Sequence, residues 1–126
     1  MRLSIIAAAV GCSILNVSPS FAHSHGAYFV KASYYSYGSL TASGEPFNQN
    51  GFTAASKTLP FGTRLLVTNP SNGRSVVVRV NDRGPFVKGR DLDLAKGAAE
   101  SLGMIKQGTA TVKIVHLGAG EASGQS

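Results

Sequence analysis

The chain reads as an all-β domain with small α content, a six-stranded closed barrel carrying one short helix. Three observations predict this. About six short runs rich in Val, Ile, Tyr and Thr alternate apolar and polar residues, the period of a pleated strand. Turns containing Gly and Pro separate the runs, and one stretch alone repeats apolar residues at helical spacing. Roughly a hundred residues remain once the N-terminal segment is set aside, and at that size closing the sheet on itself removes exposed edges best.

The N-terminal segment, residues 1–22, has the layout of an export signal. Arg2 supplies the positive start, Leu3 to Val17 the apolar run, and Ser20-Phe21-Ala22 a small-x-small cleavage site. The run is short for a membrane span, so the mature chain is expected to have none. Cys12, the single cysteine, follows Ala9-Val10-Gly11. The main expectation is that it leaves with the signal; the alternative is a lipid anchor on Cys12. Without it the mature chain has no thiol for a disulfide or a cysteine metal site. His23-Ser24-His25 would begin the mature protein, and a frayed, solvated terminus outweighs a copper-chelating one.

Ala27–Tyr37 is the first strand-forming run, with Tyr35 and Tyr37 on one face and Tyr34 on the other. Leu40–Gly51 is a loop: Gly44 frees the backbone, Pro46 holds Glu45 extended and Asn50-Gly51 marks a turn. Phe52–Ser56 is a short strand, and Lys57–Gly62 turns into the strand Thr63–Asn69. Pro70-Ser71-Asn72-Gly73 then forms a hairpin with Arg74–Asn81, in which Val76, Val78 and Val80 face one way and Val77 and Arg79 the other. The chain breaks at Asn81-Asp82-Arg83-Gly84-Pro85. Asp93 follows between Leu92 and Leu94. Ala95, Ala98, Ala99 and Leu102 line one face of a short helix stopped by Gly103, and Thr109–Leu117 is a final strand. Gly118–Ser126 reads as a disordered tail, which leaves 23–117 as the domain.

A carboxylate between two leucines is either hydrogen-bonded for structural reasons or held in an apolar wall with a raised pKa, the condition a glycosidic proton donor needs. Net charge offers anionic partners. The chain has 12 Lys and Arg against 6 Asp and Glu, and export would remove only Arg2 from the balance. The cations are scattered singly and no recognition helix appears, so nucleic acid is excluded. There is no phosphate loop, repeat, heptad or metal-ligand spacing, and Ser56 has no base at a telling distance, which argues against a serine hydrolase. No cofactor is expected.

Three motifs, TASGE (Thr41–Glu45), TAASKTLPFGTRLLVTN (Thr53–Asn69) and GRSVVVRVNDRGPFVKGR (Gly73–Arg90), followed by LDLA, closely resemble the RlpA-like (rare lipoprotein A) family over about Lys31 to Leu117. The resemblance implies a double-psi β-barrel of the kind found in expansins and barwin-like proteins. It also implies an exported, periplasmic or envelope lytic transglycosylase acting on peptidoglycan glycan strands without stem peptides. Asp82 falls on the aspartate of the NDRGP motif, Glu45 on the glutamate of TASGE and Asp93 on the hydrophobic-Asp-Leu motif. Two positions depart from the pattern: Asn48 stands where many members have aspartate and Ser56 where many have histidine. Asp91 replaces a common aliphatic.

The expected mechanism makes Asp93 the proton donor. Asp82 holds it through a shared hydrogen bond, and Glu45 orients the sugar or assists proton transfer. Tyr35 and Tyr37 offer aromatic faces to sugar, Asn48 and Ser56 line the substrate site, and Arg83 pairs with Asp82 or with substrate carboxylates. A monomer is expected. The alternative is a catalytically silent, expansin-like glycan binder or wall-loosening module.

Overall fold

The computed structural model describes residues 26–119. The export segment with Cys12, the His23–His25 terminus and residues 120–126 lie outside that range. Six strands close into a barrel in the order β1-β5-β2-β4-β3-β6. They are β1 (Tyr28–Tyr35), β2 (Thr53–Ser56), β3 (Thr63–Asn69), β4 (Arg74–Asp82), β5 (Leu92–Ala95) and β6 (Ala110–Ala119), with one helix, α1 (Lys96–Ser101), after β5. β1 pairs with β5, and β2 with β4, in parallel; the other contacts are antiparallel.

Alternation decides what faces inward. Val76, Val78 and Val80 of β4 are buried with Leu65 and Val67 of β3, Leu92 and Leu94 of β5, and Val112 and Ile114 of β6. Each fully buried aliphatic of this size contributes about 1.5–3 kcal/mol. Ala98, Ala99, Leu102 and Met104 close the core from the helix side. The four-residue hairpin forms as expected, with Gly73 at φ 77° where a left-handed residue is needed. The hairpin also serves the helix: the side-chain amides of Asn69 and Asn72 both donate to the carbonyl of Leu102, at 2.8 and 3.0 Å. They satisfy an end-of-helix acceptor that would otherwise lack a partner.

Two details differ from the sequence expectation. β6 continues through Gly118 and Ala119, which pair with Arg64 and Thr63, so the strand outlasts the expected boundary at Leu117. The reason is that β3 offers backbone partners up to Thr63. β5 is a four-residue strand at Leu92–Ala95, a length over which alternation cannot be told from the start of a helix.

Candidate active site

The site is built on the outer face of four neighbouring strands. In β1 the pleat turns Ala32 inward and Ser33 and Tyr35 outward. In β5 Leu92 and Leu94 point into the core and Asp93 to the opposite face; in β2 Ala54 points into the core and Ala55 to the opposite face, where Ser33 and Ala55 are themselves covered, each 3% exposed. β4 needs a further device. Its register with β2 shifts between Ala54, which faces Val80, and Ala55, which faces Asp82. In a regular strand Asp82 would share the inward face of Val80, two residues before it; the bulge re-aims it. The outcome is one row across β1, β5, β2 and β4: Ser33 beside Asp93, Asp93 beside Ala55, Ala55 beside Asp82. With strands spaced by about 4.8 Å, the two acids stand about 10 Å apart at the backbone, with only the Ala55 methyl between them.

Asp93 is partly buried. Its Oδ1 accepts the Ser33 hydroxyl at 2.8 Å. Burial pushes its pKa above the usual aspartate range; the Ser33 bond and the Arg90 charge pull it back, and the Asp82 charge pushes it up again. A carboxyl in this state can hold a proton nearer to neutral pH than an exposed aspartate.

Asp82 acts as a local organiser. Its Oδ2 accepts the Tyr35 hydroxyl at 3.0 Å, and its Oδ1 accepts the backbone N–H groups of Ala42 (2.8 Å) and Arg83 (2.9 Å). Burial and the Asp82 bond drive the Tyr35 phenol well above its ordinary pKa, so it stays a donor. The Tyr35 ring stacks on Phe47 at 4.6 Å. The expected hydrogen bond between Asp82 and Asp93 does not form: the donors around Asp82 come from β1 and two loops, and Ala55 separates the acids.

Glu45 lies at the far side of this organiser. Its carboxylate takes both guanidinium nitrogens of Arg79 at 2.9 and 3.1 Å and the Asn81 amide at 2.8 Å. The Arg79 bond first, then the Asn81 bond, holds its pKa below the usual glutamate range. It is therefore suited to staying ionised and fastening the 41–45 loop to β4, and poorly suited to carrying a proton. The same loop is tied by Ser43 N–H donating to the Asn81 carbonyl at 3.2 Å.

The remaining expected residues divide. Arg83 does not ion-pair with Asp82. Its guanidinium donates to the carbonyls of Ser56, Leu59 and Asp82 and lies 4.0 Å over the Phe61 ring, because the end of β2 and the turn after it bring those carbonyls and that ring to it. Ser56 is buried, and its hydroxyl accepts the N–H groups of Thr58 and Leu59. It stabilises a turn and is not brought to the acids. Asn48 is exposed and its side chain closes a turn by accepting the Asn50 N–H at 3.0 Å. Tyr37 lies beyond β1 and is 79% exposed.

Sequence reasoning missed Ser33, although its place two residues before Tyr35 sets it on the same face. It also missed Arg90, which closes the third motif three residues before Asp93. A separate cavity of about 350 Å³ opens among Tyr28, Val30, Leu59, Leu65, Leu92 and Ile114; none of the three acids lines it. Among the described residues no group of His, Cys, Asp and Glu could hold a metal ion, and no helix is long and apolar enough to cross a membrane.

Comparison with known proteins gives the chain's relatives. A family model described as lytic transglycolase matches residues 29–114. The chain is 62% identical over 81 residues to a probable endolytic peptidoglycan transglycosylase RlpA of Nostoc sp., covering 64% of this chain and 22% of that protein. It is 54% identical over 87 residues to the endolytic peptidoglycan transglycosylase RlpA of Campylobacter jejuni, covering 69% of this chain and 32% of that one. The chain thus spans between about a fifth and a third of these relatives' length. Among solved structures it is similar to an expansin from Clavibacter michiganensis, with a TM-score of 0.61 at 22% identity over 79% of this chain and 53% of the expansin. That likeness identifies the barrel as double-psi.

Proposed function

The chain belongs to the lytic transglycolase family, and from that premise we propose that it is an endolytic peptidoglycan lytic transglycosylase acting in the cell envelope after export. The observation that carries the reading is Asp93: a partly buried carboxyl, raised in pKa, on the face of the sheet away from the core, in the same row as Asp82.

The reaction needs one group that gives and later takes a proton. Asp93 donates to the glycosidic oxygen between N-acetylmuramic acid and N-acetylglucosamine, and the bond from the muramyl anomeric carbon to that oxygen breaks. The muramyl C6 hydroxyl then attacks the anomeric carbon and its proton passes to the Asp93 carboxylate. The product carries a 1,6-anhydro ring, no water is consumed, and the acid is restored. Ser33 orients Asp93 through its hydroxyl. Asp82 presents negative charge towards the positive charge developing on the sugar ring and keeps Tyr35 and the 41–45 loop in place. Glu45 acts through that loop as a positioning residue.

Digestion of sacculi stripped of stem peptides, followed by mass spectrometry, tests the reading. Appearance of 1,6-anhydromuramyl ends supports it. Binding to the same sacculi with no anhydro product would instead favour the expansin-like binder, and neither binding nor cleavage would remove both.

A further inference from the structure

The side of the barrel away from the acids has a composition of its own. Closure places β3 and β6 diametrically opposite β5 and β2, on which the row of Asp93, Ala55 and Asp82 is centred. On the far side, strand pairing sets the side chains in rows. Phe29 lies beside Lys113, Lys113 beside Thr68, and Thr68 beside Ser75. The next row is Val115, Leu66 and Val77, and the row after it holds Arg64 and Arg79. Alternation turns all of these away from the core. None is buried, and Phe29 is 60% exposed and Val77 38%. Charge on the four strands is nearly of one sign: β1, β3 and β6 contain no Asp or Glu, and β4 has only Asp82 at its last position. Arg79 is neutralised by Glu45, whereas Arg64 and Lys113 have no side-chain hydrogen bond or ion pair among the described residues. Lys31 stands at the margin, where its carbonyl accepts the Asp91 N–H at 2.9 Å, and is discounted for that neighbouring acid.

An exposed apolar row with cations on both borders fits a partner that is anionic at its surface and apolar beneath it. A second copy of the face would set these cations against their own kind. A soluble anionic polymer would meet Arg64 and Lys113 but leave Phe29, Leu66 and Val77 in water. A bilayer with anionic lipids supplies both halves: phosphates at the level of the cations, and an acyl boundary for the side chains that protrude. We propose that the β3–β6 face docks on an anionic lipid surface, with Phe29 entering the headgroup layer and Arg64 and Lys113 meeting lipid phosphates. Asp93 and Asp82 then stand on the side turned away from the lipid. The inference goes beyond the glycan-cleaving reading and uses none of its residues.

The chain contains no tryptophan, so a single indole reports its own surroundings. Phe29→Trp in the full chain is titrated with vesicles of phosphatidylglycerol and phosphatidylethanolamine, and separately with neutral phosphatidylcholine vesicles. Phe86→Trp is the control, at a position 81% exposed in the loop between β4 and β5. Docking predicts that the indole at position 29 shifts to the blue and is shielded from acrylamide on the anionic vesicles alone, while the indole at 86 stays in water. A cation near an anionic surface strengthens binding about fivefold. Adding Arg64→Gln or Lys113→Gln should therefore weaken vesicle binding about fivefold each, and about twenty-five-fold together. No shift at position 29, or an equal shift on neutral vesicles, overturns the inference, and neither arm depends on the charge variants folding. A shift shared by the indole at 86 also overturns it, by placing the anchor in the apolar run of residues 3–17. So does an equal shift with soluble polyglutamate, which would assign the face to an acidic chain. A shift in concentrated protein without vesicles would assign it to a second copy and overturn it likewise. Yield of 1,6-anhydromuramyl ends from isolated sacculi should be unchanged by Arg64→Gln and Lys113→Gln, so failure of docking and failure of the enzymatic reading are told apart.

Discussion

Replacing Asp93 by Asn separates chemistry from stability. The side chain keeps its shape and its Oδ1 can still accept the Ser33 hydroxyl, now 2.8 Å away, so packing and that bond persist. What disappears is a titratable proton and a partly buried charge. Loss of a positioned general acid costs about 10²–10⁴ in rate. Stability moves the other way. The folded pKa of Asp93 is raised, mainly by burial, so its favourable contribution is complete below the unfolded aspartate value of about 3.9. That contribution is lost as pH rises through the folded value. At pH 7 the ionised group therefore opposes folding, and the neutral amide relieves that opposition. For a group only partly removed from water, about 1 kcal/mol is the expected scale, or about 4–8 °C in melting temperature for a domain of this size. The assay pairs anhydromuropeptide yield with thermal melts of both proteins at pH 7 and pH 3. The variant should be inactive and more stable at pH 7, with the stability gap closing at pH 3, where both side chains are neutral. A variant that is less stable at pH 7, or that retains full activity, would refute the reasoning.

Three further outcomes follow from the same geometry. Ser33→Ala removes the bond that lowers the Asp93 pKa, so the limb of the pH–rate profile that reports the acid should move to higher pH; an unmoved limb would detach Ser33 from the chemistry. Glu45→Gln breaks the fork to Arg79, but those side chains are 40% and 45% exposed, so solvent screening limits the stability loss to roughly 1 kcal/mol or less. Because the folded Glu45 pKa is lowered, its contribution is present above the unfolded glutamate value of about 4.3 and fades as pH falls through the folded value; denaturant midpoints of variant and parent should converge there. Gly97→Ala places a Cβ 2.5 Å from the Asn50 carbonyl oxygen and 2.6 Å from its carbon. The helix preference of Ala returns at most about 1 kcal/mol, against about 1–3 kcal/mol for overpacking against backbone. A lowered melting temperature is expected, and a raised one would mean that the 48–51 loop yields freely.

Much of the fold could be read locally. Period-two alternation located β1, β3, β4 and β6, an Asn-Gly pair located the hairpin, and four apolar residues at helical spacing located α1, because each of these signals is written in residues a few positions apart. The same holds for Asp93 between its two leucines: alternation alone turns it away from the core. Its three motifs also sufficed to point to the family.

What the tertiary structure decided is who stands beside whom. The bulge opposite Ala55 turns Asp82 outward, and no pattern within β4 encodes it, because it arises from the pairing with β2. Whether Asp82 meets Asp93, Tyr35 or a loop N–H depends on strand order around the barrel, in which β5 inserts between β1 and β2 although it comes much later in the chain. Glu45 looked like a catalytic acid until Arg79 and Asn81, more than thirty residues away, were seen to hold it ionised. Carboxylate chemistry depends on neighbours within a few ångströms, and in a barrel joined by crossing connections those neighbours are set by closure of the sheet.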